Sequence, residues 1–201
     1  MLTAEQNAYS PQALISSHID SVGSALKELD LDAVQRVVQI FRDVRDSRGT
    51  IYVAGNGGSA STASHWVNDL GKATKRSGRL PIRVMSLSDN MSWFSALGND
   101  EGYDRVFSGQ LENFANPGDV LVCISASGNS PNLIQAVEVA VRRKVKTAAL
   151  LGFDGGALKS LVDEAVVITS PKGAYELVED AHSIVCHAIT RCLILDRPEA
   201  G

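Results

Sequence analysis

Aromatic residues make up only 5% of the 201 positions, and charge of neither sign is concentrated. Lysine and arginine number 19 against 23 aspartates and glutamates, for a net charge of −4. A nucleic-acid groove needs a concentrated basic face. The nearest cluster is Lys72, Lys75, Arg76 and Arg79, with Arg83 beyond it. It is short, has no interleaved aromatics and reads as a solvated loop, so no nucleic-acid partner is expected. No apolar run approaches the roughly 20 residues that span a bilayer, so no membrane partner is expected either. The opening MLTAEQNAYSP lacks the basic and apolar regions of a secretory leader. Cysteine is scarce too: Cys123, Cys186 and Cys192, odd in number and each inside an apolar run, are expected to be buried free thiols of a reducing compartment. A cytoplasmic location follows as the expectation.

What is present suffices for a core. Hydrophobic residues make up 44%, close to ordinary globular usage, and no linker, repeat or low-complexity stretch divides the chain. One domain over 1–201 is expected, with N-terminal helices in 1–48 and an α/β core and C-terminal helix in 49–201. Ser10-Pro11 reads as a cap and first helical position. Leu14, Ile15, Ile19, Val22, Leu26 and Leu29 then recur at helical spacing, as do Val34, Val37, Val38, Phe41 and Val44 before Gly49. After Gly49 the period changes. Strands are expected over 50–54, 81–87, 119–124, 146–151 and 165–169, with helices over 59–72, 88–97, 102–114, 131–143 and 174–195 and a short one after the fourth strand. Nearly unbroken apolar strands alternating with helices predict a five-stranded parallel sheet in a three-layer α/β/α fold of flavodoxin-like type.

Ligands of such sheets sit beyond the carboxyl ends of the strands, where this chain places its glycine- and serine-rich turns. Asn56, Gly57, Gly58 and Ser59 join the first strand to a helix whose N-terminus offers free N–H groups. This is neither a dinucleotide G-x-G-x-x-G nor a Walker loop. A tight turn would explain the glycines alone. Ser125, Ala126, Ser127 and Ser130 repeat the arrangement after the third strand. Capping explains one serine, Ser130 before Pro131, but not the other two. Two such loops together favour phosphate binding. Further on, Asp89, Asn90, Asn99 and Asp100 are candidates to grip sugar hydroxyls, with capping and turn roles as the plainer alternative.

His65 and Asp69 lie four apart and share a helix face, a spacing that suits a metal, an acid/base pair or an ordinary surface pair. On the last helix Val178, Ala181, Ile184, Val185, Ala188, Ile189 and Cys192 form an apolar face at 100° per residue. Glu176, Glu179, Asp180, Ser183 and His187 form a polar stripe opposite, either a solvated face or a catalytic wall toward a neighbouring subunit.

The segments GNGGSAS…H, SLSDNMSWFSALGNDEGYD, GDVLVCISASGNSPN and a final E…H stretch resemble the sugar isomerase (SIS) domain family over essentially the whole chain, and within it the phosphoheptose isomerases. The resemblance implies an enediol-mediated aldose–ketose interconversion of sedoheptulose 7-phosphate and glycero-manno-heptose 7-phosphate, in a homotetramer with sites between subunits. It implies phosphate contacts at Asn56, Gly57, Ser59, Ser125, Ser127 and Ser130, and a zinc or other divalent ion at His65, Asp69, Glu179 and His187. The family pattern has glutamate where Asp69 stands and glutamine where Glu179 stands. Asp69 is then the expected base and His187 the acid, with Glu179 the substitute base and Glu176 a further substrate contact. The alternative is a non-catalytic relative of the DnaA initiator-associating type, acting through protein partners.

Overall fold

The computed structural model describes residues 10–77 and 79–196; the first nine residues, read above for a leader, lie outside it. Helix α1 (Pro11–Lys27) starts at Ser10, whose hydroxyl accepts from the Ala13 N–H. Helix α2 (Leu31–Asp46) starts at Asp30, whose carboxylate accepts from Asp32 and Ala33. These caps satisfy N–H groups that a helix start otherwise leaves orphaned. Then follow β1 (Thr50–Gly55), α3 (Gly58–Ala73), β2 (Arg83–Ser86), α4 (Met91–Asp100), α5 (Ser108–Phe114), β3 (Val120–Ser125), α6 (Pro131–Arg142), β4 (Lys146–Phe153), α7 (Leu158–Leu161), β5 (Glu164–Thr169) and α8 (Tyr175–Leu195).

The five strands are all parallel, in the order β2-β1-β3-β4-β5. Chain direction across the sheet reverses between β1 and β3, the switch point where a crevice opens beyond the strand ends. One face of the sheet packs on α1, α2, α3 and α8, through Phe41, Trp66, Leu70, Val178, Val185 and Ile189 among others. The other packs on α4 to α7, through Leu97, Phe107, Leu111, Leu133, Val137 and Leu158. This is the expected three-layer architecture, preceded by its two helices.

Trp66 ties α3 to its neighbours. It is buried, its ring lies 5.3 Å from that of Phe41, and its indole N–H donates to Thr190 on α8 at 3.1 Å. Truncating an aromatic so placed costs about 3–5 kcal/mol, so the α3–α8 seam is a rigid base for whatever it carries.

The local differences from expectation have physical reasons. Residues 102–114 are two elements, a 3₁₀ turn over Tyr103–Arg105 and then α5, because Gly102 sits at φ 103° and the chain bends again at Phe107. Lys72 lies in the last turn of α3 and Thr74–Ser77 continue it as a 3₁₀ turn, so this basic cluster begins on a helix rather than a loop. On α8 the buried face is Leu177, Val178, Ala181, His182, Val185, Cys186, Ile189, Thr190 and Leu193, while Ile184, Ala188 and Cys192 are exposed. Cys123 and Cys186 are the buried thiols expected, and Cys192 is not. Among the described residues no helix is long and apolar enough to cross a membrane.

Candidate active site

The β1 and β3 loops meet at the switch point. Asn56, Gly57, Gly58, Ser59, Ser125, Ala126, Ser127 and Ser130, all expected there, line one cavity of about 320 Å³ with Tyr175 and Glu179. Gly128 at φ 64° folds the serine loop back against Gly155, where a Cβ would overlap the Gly155 carbonyl. Within the loop Ser125 Oγ accepts from the Gly128 N–H at 3.0 Å, and Ser127 Oγ from the Asn129 N–H at 3.3 Å. Ser130 occupies the N-cap of α6 but makes no side-chain cap bond. Among the described residues, its hydroxyl and that of the buried Ser59 have no hydrogen-bond partner. Both helix starts, α3 and α6, therefore bring uncommitted donors to the same space.

A second cluster lies further along α3. His65 and Asp69, one turn apart, meet His187 from α8. The Asp69 Oδ2 is 3.5 Å from His65 Nε2 and 3.3 Å from His187 Nε2, and the two imidazole nitrogens are 3.4 Å apart. The three donor atoms thus form a nearly equilateral triangle. A tetrahedral zinc with bonds of about 2.0–2.1 Å spaces its ligands at about 3.3–3.4 Å, so the donor set and its geometry fit such an ion. A hollow of about 10 Å³ beside them, lined also by Thr62, Trp66, Ser183 and Cys186, has the size of one water-sized particle. His65, Asp69 and His187 are a group able to hold a metal.

Glu179, expected as a fourth ligand, does not join this triangle. It stands two turns before His187 on α8, about 12 Å away along the helix axis, and its carboxylate lies over the α-carbon of Gly58, where a Cβ would overlap it. It faces the loop cavity, and among the described residues its carboxylate oxygens have no hydrogen-bond partner.

The remaining candidates fall elsewhere. Asp89 accepts from the Ser64 hydroxyl on α3. Asn90 caps α4 by accepting from the Trp93 N–H at 3.2 Å, the plainer of the two roles weighed for it. Asn99 donates to Asp100 at 2.7 Å on the exposed end of α4. Glu176 lines a separate groove between α1 and the start of α8, where His18 and Asp180 pair at 2.7 Å. None of these five lines the loop cavity of a single chain.

Three residues went unremarked in the sequence. Asn132, 1% exposed, exchanges two hydrogen bonds with Asn56: Asn56 Nδ2 to Asn132 Oδ1 at 3.0 Å, and Asn132 Nδ2 to Asn56 Oδ1 at 2.9 Å. The Tyr103 hydroxyl donates to the same Asn56 Oδ1 at 2.9 Å. An amide on the apolar face of α6 was a visible signal for Asn132; nothing local marked Tyr103. His182 is 1% exposed on α8, and among the described residues neither ring nitrogen has a hydrogen-bond partner. Burial pushes its pKa down to about 4, an effect the Leu151 backbone opposes without reaching hydrogen-bond geometry.

Residues 17–152 match the SIS domain model. The chain is 37% identical over 183 residues to a probable phosphoheptose isomerase of Thermoplasma volcanium, covering 90% of each chain. It is 35% identical to the phosphoheptose isomerase of Citrifermentans bemidjiense, over 92% of this chain and 94% of that one. The solved phosphoheptose isomerase of Neisseria gonorrhoeae superposes with a TM-score of 0.81 at 30% identity, over 95% of this chain and 98% of that one. With both loops and the His–Asp–His triangle in place on this fold, the chain belongs to the SIS domain family and, within it, to the phosphoheptose isomerases.

Proposed function

We propose that this protein interconverts sedoheptulose 7-phosphate and D-glycero-D-manno-heptose 7-phosphate through an enediol. The observation that carries this is the division of one seam into two ends. Free serine hydroxyls and helix N-termini sit at one end of α3, and a metal-binding triangle sits one to two turns further along it. Ser59 and His65 are six residues apart, about 9 Å along the axis, a separation an open-chain sugar phosphate can bridge. The 7-phosphate would take the serine-loop side of the cavity, and the carbonyl end would lie between the Glu179 carboxylate and the triangle.

His65, Asp69 and His187 would hold a zinc or similar divalent ion, whose chemistry there is to polarise the sugar oxygens. The chain's own proton transfer we assign to Glu179. Its carboxylate is unbonded and in the cavity, whereas Asp69 turns Oδ2 to both imidazoles and accepts from Asn68 on Oδ1 at 3.2 Å. This reverses the order expected from the sequence, with Asp69 as ligand and orienting group and Glu179 as base. His187, expected as the acid, would instead be committed to the ion through Nε2, and the protonated Glu179 would return the proton to the neighbouring carbon. The assignment predicts that Glu179→Gln loses turnover while still binding substrate, and that Asp69→Asn loses metal as well as activity. A turnover-dead Asp69→Asn that keeps its metal, beside an active Glu179→Gln, would restore Asp69 as the base. The activity itself is tested by incubating the metal-loaded protein with sedoheptulose 7-phosphate and following aldose product. A protein that binds the substrate but makes none would point to the non-catalytic alternative.

We also propose a homotetramer. Leu14, Ile15 and Ile19 stand exposed along α1, and Ile184 on α8 is likewise uncovered, apolar surface that a second copy would bury. Light scattering that finds a monomer would refute it. The free thiols accord with work in the cytoplasm.

A further inference from the structure

We propose that Asn132 and Tyr103 are positioning residues that hold the Asn56 amide with one free N–H for the phosphate. The proposal rests on the phosphate-loop reading above and adds to it which hydrogen-bonding face Asn56 shows the ligand.

An amide side chain has two N–H donors and one carbonyl oxygen with two acceptor positions. Asn56 Oδ1 fills both positions, with the Tyr103 hydroxyl and with Asn132 Nδ2, each at 2.9 Å. Its Nδ2 gives one hydrogen to Asn132 Oδ1 at 3.0 Å. One N–H is left, and Asn56 lines the cavity. If both amides turned over together the pair would still satisfy itself. The Asn56 nitrogen would then face Tyr103 and spend both hydrogens, and a carbonyl lone pair would be left for the ligand. A phosphate monoester is mostly the dianion above about pH 7, with terminal oxygens that accept, so the first arrangement offers it a donor and the second only a lone pair. The arrangement with Tyr103 donating is the productive one, and it is the one the structure holds. Asn132 is buried and cannot exchange its partner for water. Tyr103 is half-exposed, but its ring is held edge-on by Phe94 at 5.9 Å, which is itself packed on Phe107 at 5.6 Å.

The test is inorganic phosphate binding by calorimetry in a double-mutant cycle. Tyr103→Phe removes one hydroxyl at a partly exposed site and leaves the ring packing intact. It should raise the phosphate dissociation constant about 3- to 10-fold, the worth of one neutral hydrogen bond. KM for the sugar phosphate should rise by the same factor, with kcat within about 2-fold. In an Asn56→Ala background Tyr103→Phe should cost nothing further, because its only route is through Asn56. Asn132→Leu, which folds independently of any ligand role if its melting transition is cooperative, should weaken phosphate binding at least as much as Tyr103→Phe. A merely structural role would lower the melting temperature and leave phosphate affinity alone. An unchanged dissociation constant in Tyr103→Phe, or an equal rise in the Asn56→Ala background, overturns the proposal. Wild-type protein that fails to bind phosphate at all overturns the loop assignment beneath it.

Discussion

Gly58→Ala isolates the position of Glu179 from everything else in the site. Gly58 is the first residue of α3 and does not have a positive φ, so alanine fits its backbone. Replacing glycine where alanine is compatible stabilises by about 0.4–1 kcal/mol, chiefly through the unfolded chain. For a domain of this size that is a rise in Tm of about 1–4 °C. The added Cβ, however, overlaps the Glu179 carboxylate, and ordinary contact begins near 3.4 Å. The carboxylate is the end of a flexible side chain, so it retreats by about an ångström rather than unfolding the helix. A displacement of about 1 Å in a reacting group costs on the order of 10²-fold in rate. The expected variant is therefore as stable as wild type or more so, and slow. Thermal denaturation and a discontinuous assay of heptose 7-phosphate formation read the two effects separately. In the double variant with Glu179→Gln the losses should not multiply, since both disable one group. Wild-type turnover in Gly58→Ala, or fully multiplicative losses in the double variant, would refute the assignment of Glu179.

Ser59→Ala and Ser130→Ala should each weaken sugar-phosphate binding by about 1–3 kcal/mol, as loss of a charge-assisted hydrogen bond does, and unphosphorylated sedoheptulose should bind poorly; equal affinity for both sugars would contradict the phosphate assignment. Protein purified without chelator should carry close to one divalent metal per chain by elemental analysis and lose it in His65→Ala, and unchanged metal content in that variant would rule the triangle out. His182 gives a pH prediction. The unfolded chain takes up its proton near the ordinary 6.5 and the folded chain only near 4. Stability is thus unaffected above pH 6.5 and falls as pH drops from 6.5 toward 4, by about 3 kcal/mol in all. His182→Leu should remove that part of the pH dependence in urea denaturation at pH 7.5 and 5, and identical slopes in both proteins would show that His182 does not contribute.

Strand and loop positions were legible in the sequence because they rest on local chemistry. Runs such as DVLVCI have no polar face to offer solvent, and glycine and serine clusters mark where a backbone turns and approaches a ligand. The parallel sheet, its helices and the two glycine- and serine-rich loops follow from that, and His65 with Asp69 follows from helical spacing. What only the tertiary structure decided is which way neighbouring helices face each other. Helix α8 packs beside α3 on the same face of the sheet and also meets α1, α2, β4 and β5, so its buried face includes His182, Cys186 and Leu193 and leaves Ile184, Ala188 and Cys192 outside, a rotation the one-stripe reading of the helix did not contain. The same seam sets His187 against His65 and Asp69 and places Glu179 over Gly58, away from that His–Asp–His group. Asn132 and Tyr103 reach Asn56 across 76 and 47 positions of sequence. Hydrogen bonds between side chains so distant depend on where the backbone carries them, and no local pattern of residues encodes that distance.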